Sequence, residues 1–130
     1  MEKVIIQKGS DAIWATFPNS PGSFICGESL QEIKQNSLDA INDLRDNDNL
    51  LEFADLEFIY DLGSFFNLEG INTSYIAKRI GINRSLLAQY LKGDIFPNEE
   101  TLKKINAGVK EWASEMLGQI DNVQDTREYA

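Results

Sequence analysis

Apolar and polar positions alternate with a period of two near the start of the chain, which is the pattern of β-strands with one buried face. Two such runs are KVIIQKGS and DAIWATF, and the turn at 9–11 between them favours a hairpin. In the second run Ile13, Ala15 and Phe17 fall on one face, whereas Trp14 falls on the other. A third run, SFICG, follows the turn PNSPG, so we predict three consecutive strands.

The next segment changes to the period of an amphipathic helix. Ser29 and Glu32 form an S-x-x-E capping box at its start, a pattern that satisfies backbone N–H groups of the first turn. The stripe that follows is suited to cover one face of a sheet and consists of Leu30, Ile33, Ser37, Ile41 and Leu44. After the polar loop RDNDN the run LEFIYDL alternates again, so we predict the order strand, strand, strand, helix, strand.

Helical signals fill the second half of the chain. The segment GSFFNLEG predicts a short first helix, and NTS offers N-cap hydroxyls before YIAKRI, which we expect to stop at Gly81. Asn83 can cap the next helix, RSLLAQYLK, which we expect to end at Gly93. Two short helices joined by Gly-Ile-Asn predict a helix-turn-helix.

A longer helix is predicted after Pro97, with Asn98 as its cap and two glutamates at the positive end of the helix dipole. Its apolar residues recur at helical spacing, so we predict one buried face that holds Leu102, Ile105, Val109, Trp112 and Met116. The end of the chain, DNVQDTREYA, is polar and is expected to fray.

These elements predict an α+β chain with two domains and a tail. Residues 1–62 form a small β-sheet with one helix in the order βββαβ, and residues 63–120 form an all-α helix-turn-helix domain. Residues 121–130 form a polar tail. With 130 residues, of which 42% are hydrophobic, the chain can build one ordinary core or two small ones.

Charge divides the chain in a similar way. Residues 1–70 contain four basic and thirteen acidic residues, a net charge of −9. Residues 71–110 contain seven basic and three acidic residues, a net charge of +4, although the whole chain carries −9. A basic segment within an acidic protein indicates a polyanion as partner of the second domain and a cationic partner for the first. Acidic residues also serve solubility alone, so the acidic half does not by itself require a partner.

Residue types disfavour several classes of site. The chain has no histidine and one cysteine, so we expect no zinc site, no histidine-based triad and no internal disulfide. Cys26 lies in an apolar strand-like run and is expected to be buried and unreactive. No apolar run approaches the length of a membrane span, and the start of the chain lacks a secretory pattern. We therefore expect a cytoplasmic protein that binds no membrane, metal or cofactor.

A carboxylate site for two-metal chemistry is the enzymatic alternative, with Asp11, Glu28 and Asp55 as its candidates. Asp11 lies in the predicted hairpin turn, Glu28 directly precedes a helix cap, and Asp55 borders a strand. Nothing in the predicted topology brings the three onto adjacent strands. We therefore expect that the protein is not an enzyme.

The helix RSLLAQYLK has one face that suits a groove in DNA. Leu87, Tyr90 and Leu91 lie toward the predicted core. The opposite face carries side chains that are short or form hydrogen bonds, namely Arg84, Ser85, Ala88, Gln89 and Lys92.

These side chains match the chemistry of a duplex. The major groove admits a helix, and there Arg84 can pair with guanine and Gln89 with adenine. Lys92, Thr73 and Ser74 are placed to contact phosphates. Operator DNA is therefore a predicted partner.

The segment NTSYIAKRIGINRSLLAQYLKGDIFPNEETLKKI resembles the Cro/C1-type (XRE-like) helix-turn-helix. The resemblance includes an alanine at Ala77, the turn glycine, a small capping residue, and a glycine followed by a proline at Pro97. It implies that DNA is contacted by Thr73, Arg84, Ser85, Ala88 and Gln89. Leu86 and Leu91 depart from the family pattern, in which polar residues are common at these places.

The segment KVIIQKGSDAIWATFPNSPGSFICGESLQEIKQNSLDAI is similar to the HicB antitoxin pattern. The shared features are an opening strand, a second strand running into Phe-Pro and then Pro-Gly, a strand ending in glycine, and a Ser/Thr-Leu-x-Glu helix cap. The resemblance implies a partial RNase H-like domain that blocks a small basic HicA-like toxin, an RNA-cleaving protein, and a DNA-binding domain that represses the operon. It also implies a homodimer or higher homo-oligomer, because such repressors read paired half-sites. The link between the domains is shorter here than the pattern suggests.

Trp14 has two possible roles. It lies on the non-core face of its strand, where it either contacts a partner or covers the sheet beneath a neighbouring subunit.

The second functional hypothesis, beside the antitoxin, is a stand-alone helix-turn-helix regulator whose first domain senses a ligand or a partner. Helix pairs with outward lysines also occur in proteins that never bind DNA, but apolar, glycine and proline positions all match here.

Overall fold

The computed structural model describes residues 1–129. Within them the chain is an α+β protein with a four-stranded mixed sheet and five α-helices, so the predicted class is confirmed. Its contacts form two compact units, which meet in the sequence between Ile71 and Asn72. The strands are β1 (Glu2–Lys8), β2 (Ile13–Thr16), β3 (Phe24–Gly27) and β4 (Leu56–Tyr60), and the helices are α1 (Leu30–Asn42), α2 (Leu62–Leu68), α3 (Thr73–Ile80), α4 (Arg84–Lys92) and α5 (Glu99–Ile120).

The sheet of the first unit has the strand order β3-β2-β1-β4. β1 pairs antiparallel with β2, where Ile6 faces Ala15, and parallel with β4, where Val4 faces Phe58. β3 pairs antiparallel with β2 and forms one edge. A β4 strand parallel to β1 requires a long crossover connection, and the chain between β3 and β4 supplies it with α1.

The core of the first unit lies between one face of the sheet and α1. Ile13, Ala15 and Phe17 are buried, as their period-two spacing predicts. The stripe on α1 is confirmed at Ile33 and Ser37, both fully buried. The Ser37 hydroxyl donates to the carbonyl oxygen of Ile33 at 2.6 Å, so the polar atom has a partner inside the core.

Two sequence expectations in this unit are wrong. Cys26 is exposed, because β3 is an edge strand and Cys26 pairs with Trp14 on the sheet face opposite the core. Leu44 is 85% exposed, because α1 ends at Asn42 and Leu44 lies in the turn beyond it. The helical spacing in the sequence continues to Leu44, but the helix itself ends two residues earlier.

The helix α2 belongs to the first unit, whereas the sequence placed the domain boundary after residue 62. Asp61 caps α2 by accepting from the Ser64 N–H at 3.1 Å. The Ser64 hydroxyl in turn accepts from the Lys8 backbone N–H at 2.8 Å, and Leu68 packs against the core of the sheet. The hydrogen bond between Lys8 and Ser64 joins residues that are distant in the sequence, so local patterns did not reveal it.

The second unit consists of α3, α4 and α5. Each helix follows an asparagine whose side chain accepts from a backbone N–H of the first turn, as predicted for Asn83 and Asn98. Before α3 the cap is Asn72, so Thr73 and Ser74, whose hydroxyls were expected to cap the helix, already belong to it. Gly81 and Gly93 end α3 and α4 with φ values of 73° and 81°, a left-handed conformation that favours glycine. The buried residues of this unit are Ile76, Ala77, Leu87 and Ile105.

The predicted buried face of α5 is only partly confirmed. Ile105 is fully buried, but Leu102 and Met116 remain 37% and 48% exposed. For Met116 the reason is length: α5 has 22 residues and extends for about 33 Å, whereas α3 has 8 residues and covers about 12 Å. The part of α5 after Glu115 therefore lacks a neighbour within its unit.

The chain after α5 is short and polar, as predicted. A single 3₁₀ turn forms at Arg127–Tyr129, where the Arg127 guanidinium donates to Asp125 at 2.7 Å. That contact lowers the pKa of the Asp125 carboxyl. Ala130, the last residue of the predicted tail, lies outside the described residues. In the part of the chain that the structure describes, every helix is too short or too polar to cross a membrane.

Candidate nucleic-acid interface

The helix α4 is held in place by its turn and by one buried side chain. After Gly81 the Ile82 N–H donates back to the carbonyl oxygen of Ala77 at 3.0 Å, which closes the end of α3. Asn83 then accepts from the N–H groups of Ser85 and Leu86 at 2.9 and 3.3 Å. Leu87 is fully buried and anchors the inner face of α4.

The outer face of α4 is open to solvent. Leu86, Tyr90 and Leu91 are half-buried, in keeping with their position beside the core. Of the DNA-contacting residues predicted on α3 and α4, the structure exposes Ser74, Arg84, Ser85, Gln89 and Lys92 and leaves Thr73 and Ala88 half-buried. The five predicted residues of α4 share one face of a single helix, and the four polar ones among them are exposed.

Arg84 connects the start of α4 to the start of α3. Its Nε donates to the hydroxyl of Ser74, while the guanidinium group remains exposed. This contact leaves the two terminal nitrogens as donors, and it fixes the planar group that a bidentate pair requires. Sequence reasoning identified both residues separately but missed the contact, because ten positions separate them.

Arg79 forms ion pairs with α5 and does not contribute to the outer face of α4. Its guanidinium contacts Glu115 at 2.5 Å and Glu111 at 3.5 Å, and it donates to the Tyr75 hydroxyl at 3.4 Å. The hydrogen bonds to Glu115 and Tyr75 raise the pKa of Arg79. Glu111 and Glu115 lie just after the basic segment 71–110. The net charge of that segment therefore counted Arg79 as available to a polyanion, although these acids balance its charge within the unit.

The remaining charges favour an anion at the outer face. Lys78, Arg84 and Lys92 are exposed on α3 and α4, and the first turns of both helices contain no acidic residue. By contrast, α5 opens with Glu99 and Glu100. An acid in the first turn stabilises a helix, so its absence from α3 and α4 leaves their positive ends available to a phosphate.

The face of the sheet opposite the core carries a second exposed cluster. Trp14 is 39% exposed, and its ring lies 5.5 Å from that of Phe24, which is 60% exposed. The indole also lies close to Gly9, where an added Cβ would meet Nε1 at 3.0 Å. We call Trp14 and Phe24 the aromatic pair. The sequence indicated Trp14 by its strand face but missed Phe24, because the register that joins them is set by β2–β3 pairing.

The carboxylates considered for metal chemistry lie in unrelated local structures. Asp11 is in the turn between β1 and β2, and the Glu28 N–H donates to the Glu32 carboxylate at 3.0 Å ahead of α1. Asp55 accepts from the Glu52 N–H at 2.8 Å in a 3₁₀ turn. Over residues 1–129, no group of three or more acidic or cysteine side chains is placed to hold a metal ion.

Comparisons of the chain with protein-family models, with curated proteins and with solved structures found no match. The functional interpretation of α4 and of the aromatic pair therefore depends on their own residues and geometry.

Proposed function

We propose that the protein is a DNA-binding antitoxin of the HicA/HicB type that represses its own operon. In this proposal the second unit is a helix-turn-helix domain that binds operator DNA through α4. The first unit is a partial RNase H-like domain that binds a small basic toxin. The observation that carries the proposal is the exposed face of α4, on which Arg84, Ser85, Gln89 and Lys92 surround a small residue, Ala88.

The shape of this face supports entry into a major groove. Ala88 and Ser85 have short side chains, so the backbone of α4 can approach base edges closely. Gln89 can then form two hydrogen bonds with adenine, and the terminal nitrogens of Arg84 can reach guanine or a phosphate. Lys92, at the last turn, is placed for the phosphate backbone.

The first unit supports the antitoxin part of the proposal in two ways. Its elements follow in the order β1, β2, β3, α1, β4 and α2, and the resemblance to HicB implies a small sheet with one helix in the order βββαβ. Its exposed aromatic pair is the kind of anchor that protein interfaces bury, because tryptophan and phenylalanine bury large apolar areas. The net charge of −9 over residues 1–70 suits a basic partner, which is what a small RNA-cleaving toxin presents.

Substitutions on α4 separate base reading from phosphate contact. We expect Gln89→Ala to weaken operator binding by about 1–3 kcal/mol and to relax specificity at one base position. We expect Lys92→Ala to weaken binding to all duplexes alike and to lower the salt slope by about one. The measurement is fluorescence anisotropy over a salt series, with the promoter duplex of the protein's own gene and a scrambled duplex.

Gln31→Ala and Lys3→Ala are the matched controls, since both residues are exposed in the first unit. Neither control should change DNA affinity. Equal losses on the two duplexes for Gln89→Ala would contradict a base-reading role. Wild-type binding that does not change with salt would contradict DNA binding by this face altogether.

The aromatic pair predicts a test of the toxin partner. We expect Trp14→Ala to weaken the complex with the product of the adjacent reading frame by about 2 kcal/mol, or about thirtyfold, because a buried tryptophan anchor is lost. Calorimetry on the co-expressed and separated proteins measures this change. Phe53→Ala is the control, because Phe53 is 46% exposed but lies beside α1. An unchanged affinity for Trp14→Ala would remove the aromatic pair from the interface.

A cleft in the first unit favours the second candidate, a regulator that senses a small ligand. It has a volume of about 440 Å³ and lies between the turn before β3 and the end of α1. Phe17, Ile25 and Ile41 supply apolar walls, and Glu2 and Arg45 supply charge. Thermal-shift screening of the isolated protein tests this candidate. Isolation of the protein in a stable complex with a small basic protein argues against it.

A further inference from the structure

The strand β3 forms one edge of the sheet and lacks the usual protection of such edges. It pairs with β2 on one side only, in an uninterrupted register, and its four residues, Phe24–Gly27, include no charged residue and no proline. The strand at the other edge, β4, carries Glu57. Natural edge strands avoid unwanted pairing through charges, prolines or bulges. An edge left without them is suited to pair with a further strand.

The hydrogen bonds of the β1–β2 hairpin show which way the backbone groups of β2 point. The Gly9 N–H donates at 2.8 Å to the carbonyl oxygen of Ala12, the residue opposite when the register is continued. Bonded and unbonded pairs alternate along an antiparallel ladder. In agreement with this alternation, the Lys8 N–H points away from β2 and donates to Ser64. Ala15, three positions after Ala12, therefore directs its N–H and carbonyl groups toward β3.

Two residues of β3 consequently direct their backbone groups away from the sheet. Ile25 lies opposite Ala15 and forms the hydrogen bonds between the two strands. Its neighbours Phe24 and Cys26 point their N–H and carbonyl groups to the free side of β3. Over residues 1–129, no turn hydrogen bond involves these four groups. They offer two donors and two acceptors to a strand that approaches this edge.

Apolar surface lies on both faces of the sheet at this edge. On the face opposite the core, Phe24 and Trp14 form the aromatic pair, and Phe24 is 60% exposed. On the core side, Ile25 lines the cleft of about 440 Å³ together with Ile41 and Leu44, which is 85% exposed. Successive side chains of a strand alternate between the two faces. An added strand would therefore bury one set of side chains on the aromatic pair and direct the other set toward the cleft.

The charges near β3 select a basic partner over a second copy of this chain. Glu28 follows the strand directly, and its N–H donates to the Glu32 carboxylate at 3.0 Å. The same carboxylate lies beside the end of the strand, where a Cβ added at Gly27 would meet its Cδ at 3.3 Å. The cleft adds one charge of each sign, from Glu2 and Arg45. Pairing of two copies would bring together two units that each carry −9 over residues 1–70, whereas a basic segment is attracted by the same charge.

We propose that an extended, basic segment of the toxin partner adds a fifth strand to the sheet by pairing with the backbone of Phe24 and Cys26. The identity of the partner rests on the proposed function, whereas the free edge, the aromatic pair and the cleft determine how the partner binds. Main-chain hydrogen bonds supply affinity in this mode of recognition, and contacts of alternate side chains supply specificity. The complex thereby covers an edge that is unprotected in the free protein.

Amide hydrogen exchange, followed residue by residue with NMR, is the direct test. The probe is the separated product of the adjacent reading frame, added to the full-length protein at about 100 times its dissociation constant. We expect exchange of the Phe24 and Cys26 amides to slow about 100-fold, because exchange then requires the partner to dissociate. The Ile25 amide bonds to β2 and should be protected with and without the partner. A complex in which the Phe24 and Cys26 amides exchange at their free rates would overturn the proposal.

A substitution at position 26 tests the same hydrogen bonds through the affinity. Cys26→Pro removes an N–H that faces the free side, so the bonds to β2 are kept. Cys26→Val keeps this N–H in a residue type that favours strands. We expect calorimetry with the same partner to show at least about tenfold weaker binding for the proline variant and a much smaller change for the valine variant. Equal affinities of the two variants, both folded by thermal unfolding, would contradict pairing at this edge.

A charge reversal tests how the partner is selected. Glu28→Lys should weaken the complex about tenfold, because a basic segment would meet a like charge beside the strand. Glu69→Lys is the matched control, since Glu69 is exposed at the end of α2 and the substitution changes the net charge equally. Losses of equal size in the two variants would contradict selection of the partner at the β3 edge.

The exchange experiment also separates this proposal from its alternatives. Protection of the Phe24 and Cys26 amides in the free protein that rises with protein concentration would assign the edge to a second copy and overturn the proposal. Absence of any complex with the adjacent product would refute the antitoxin function together with this partner. A complex that forms without protection at β3 would refute only the strand pairing.

Discussion

Ser85→Glu is expected to abolish operator binding while leaving the second unit at least as stable as the wild type. Ser85 is the second residue of α4, it is exposed, and it lies beside Arg84 on the outer face. A carboxylate there would meet the phosphates and base edges of the groove, and such like-charge contact costs several kcal/mol. We therefore expect at least about a 100-fold loss of affinity for any duplex.

The same carboxylate should not harm the fold. An acid in the first turn of a helix interacts favourably with the helix dipole, by about 0.3–1 kcal/mol at an exposed site. DNA affinity and thermal stability are therefore expected to change in opposite directions. Anisotropy titration and calorimetric unfolding of the same preparations measure the two quantities.

Gln31→Glu is the positional control for this variant. Gln31 is the second residue of α1 and is exposed, so the substitution places an added charge at the same helical position in the first unit. It should stabilise α1 to a similar extent and leave DNA affinity unchanged apart from a small effect of net charge. A comparable loss of DNA binding in both variants would show that overall charge, and not α4, controls the interaction.

Gly108→Ala is expected to destabilise the second unit, although alanine is the better helix former. A Cβ at position 108 would overlap Cγ2 of Ile80, the last residue of α3. Isoleucine in a helix strongly prefers one rotamer, so Ile80 cannot turn away without strain. We expect a net loss of about 1–3 kcal/mol, the usual cost of overpacking a close contact.

Gly118→Ala provides the opposite result on the same helix. No atom lies within 4 Å of an added Cβ at this position, so only helix propensity changes. We expect a gain of about 1 kcal/mol. Urea unfolding followed by the fluorescence of Trp112 in a Trp14→Phe background reports the second unit alone. Stabilisation by both variants would show that α3 and α5 are not in close contact at Gly108.

Sequence patterns located most elements but not their neighbours. The caps at Asn83 and Asn98 are confirmed, because an N-cap bonds to N–H groups two or three residues away. The boundary near α2 was placed differently by the sequence and by the contacts. The helix bonds to Lys8 through Ser64, more than fifty positions away, and no local pattern contains that information.

The candidate DNA face shows the same division. Helical period placed Ser85 and Gln89 outward, and the structure exposes both. Net charge was a poorer guide to the DNA-binding face, since it counted Arg79 with the basic residues expected to face DNA. Arg79 forms an ion pair with Glu115 of α5, so its charge is neutralised within the unit. Only the packing of α3 against α5 could reveal this ion pair.

The sequence by itself determined the strands, the helices, their caps and the two faces of α4, because each depends on residues within one or two turns of one another. The tertiary structure alone decided that Cys26 is exposed, that Arg84 bonds to Ser74, and that α5 extends beyond its neighbour at Met116. These features depend on which distant segments meet and where they stop, and that follows from packing of the whole unit rather than from the period of any segment.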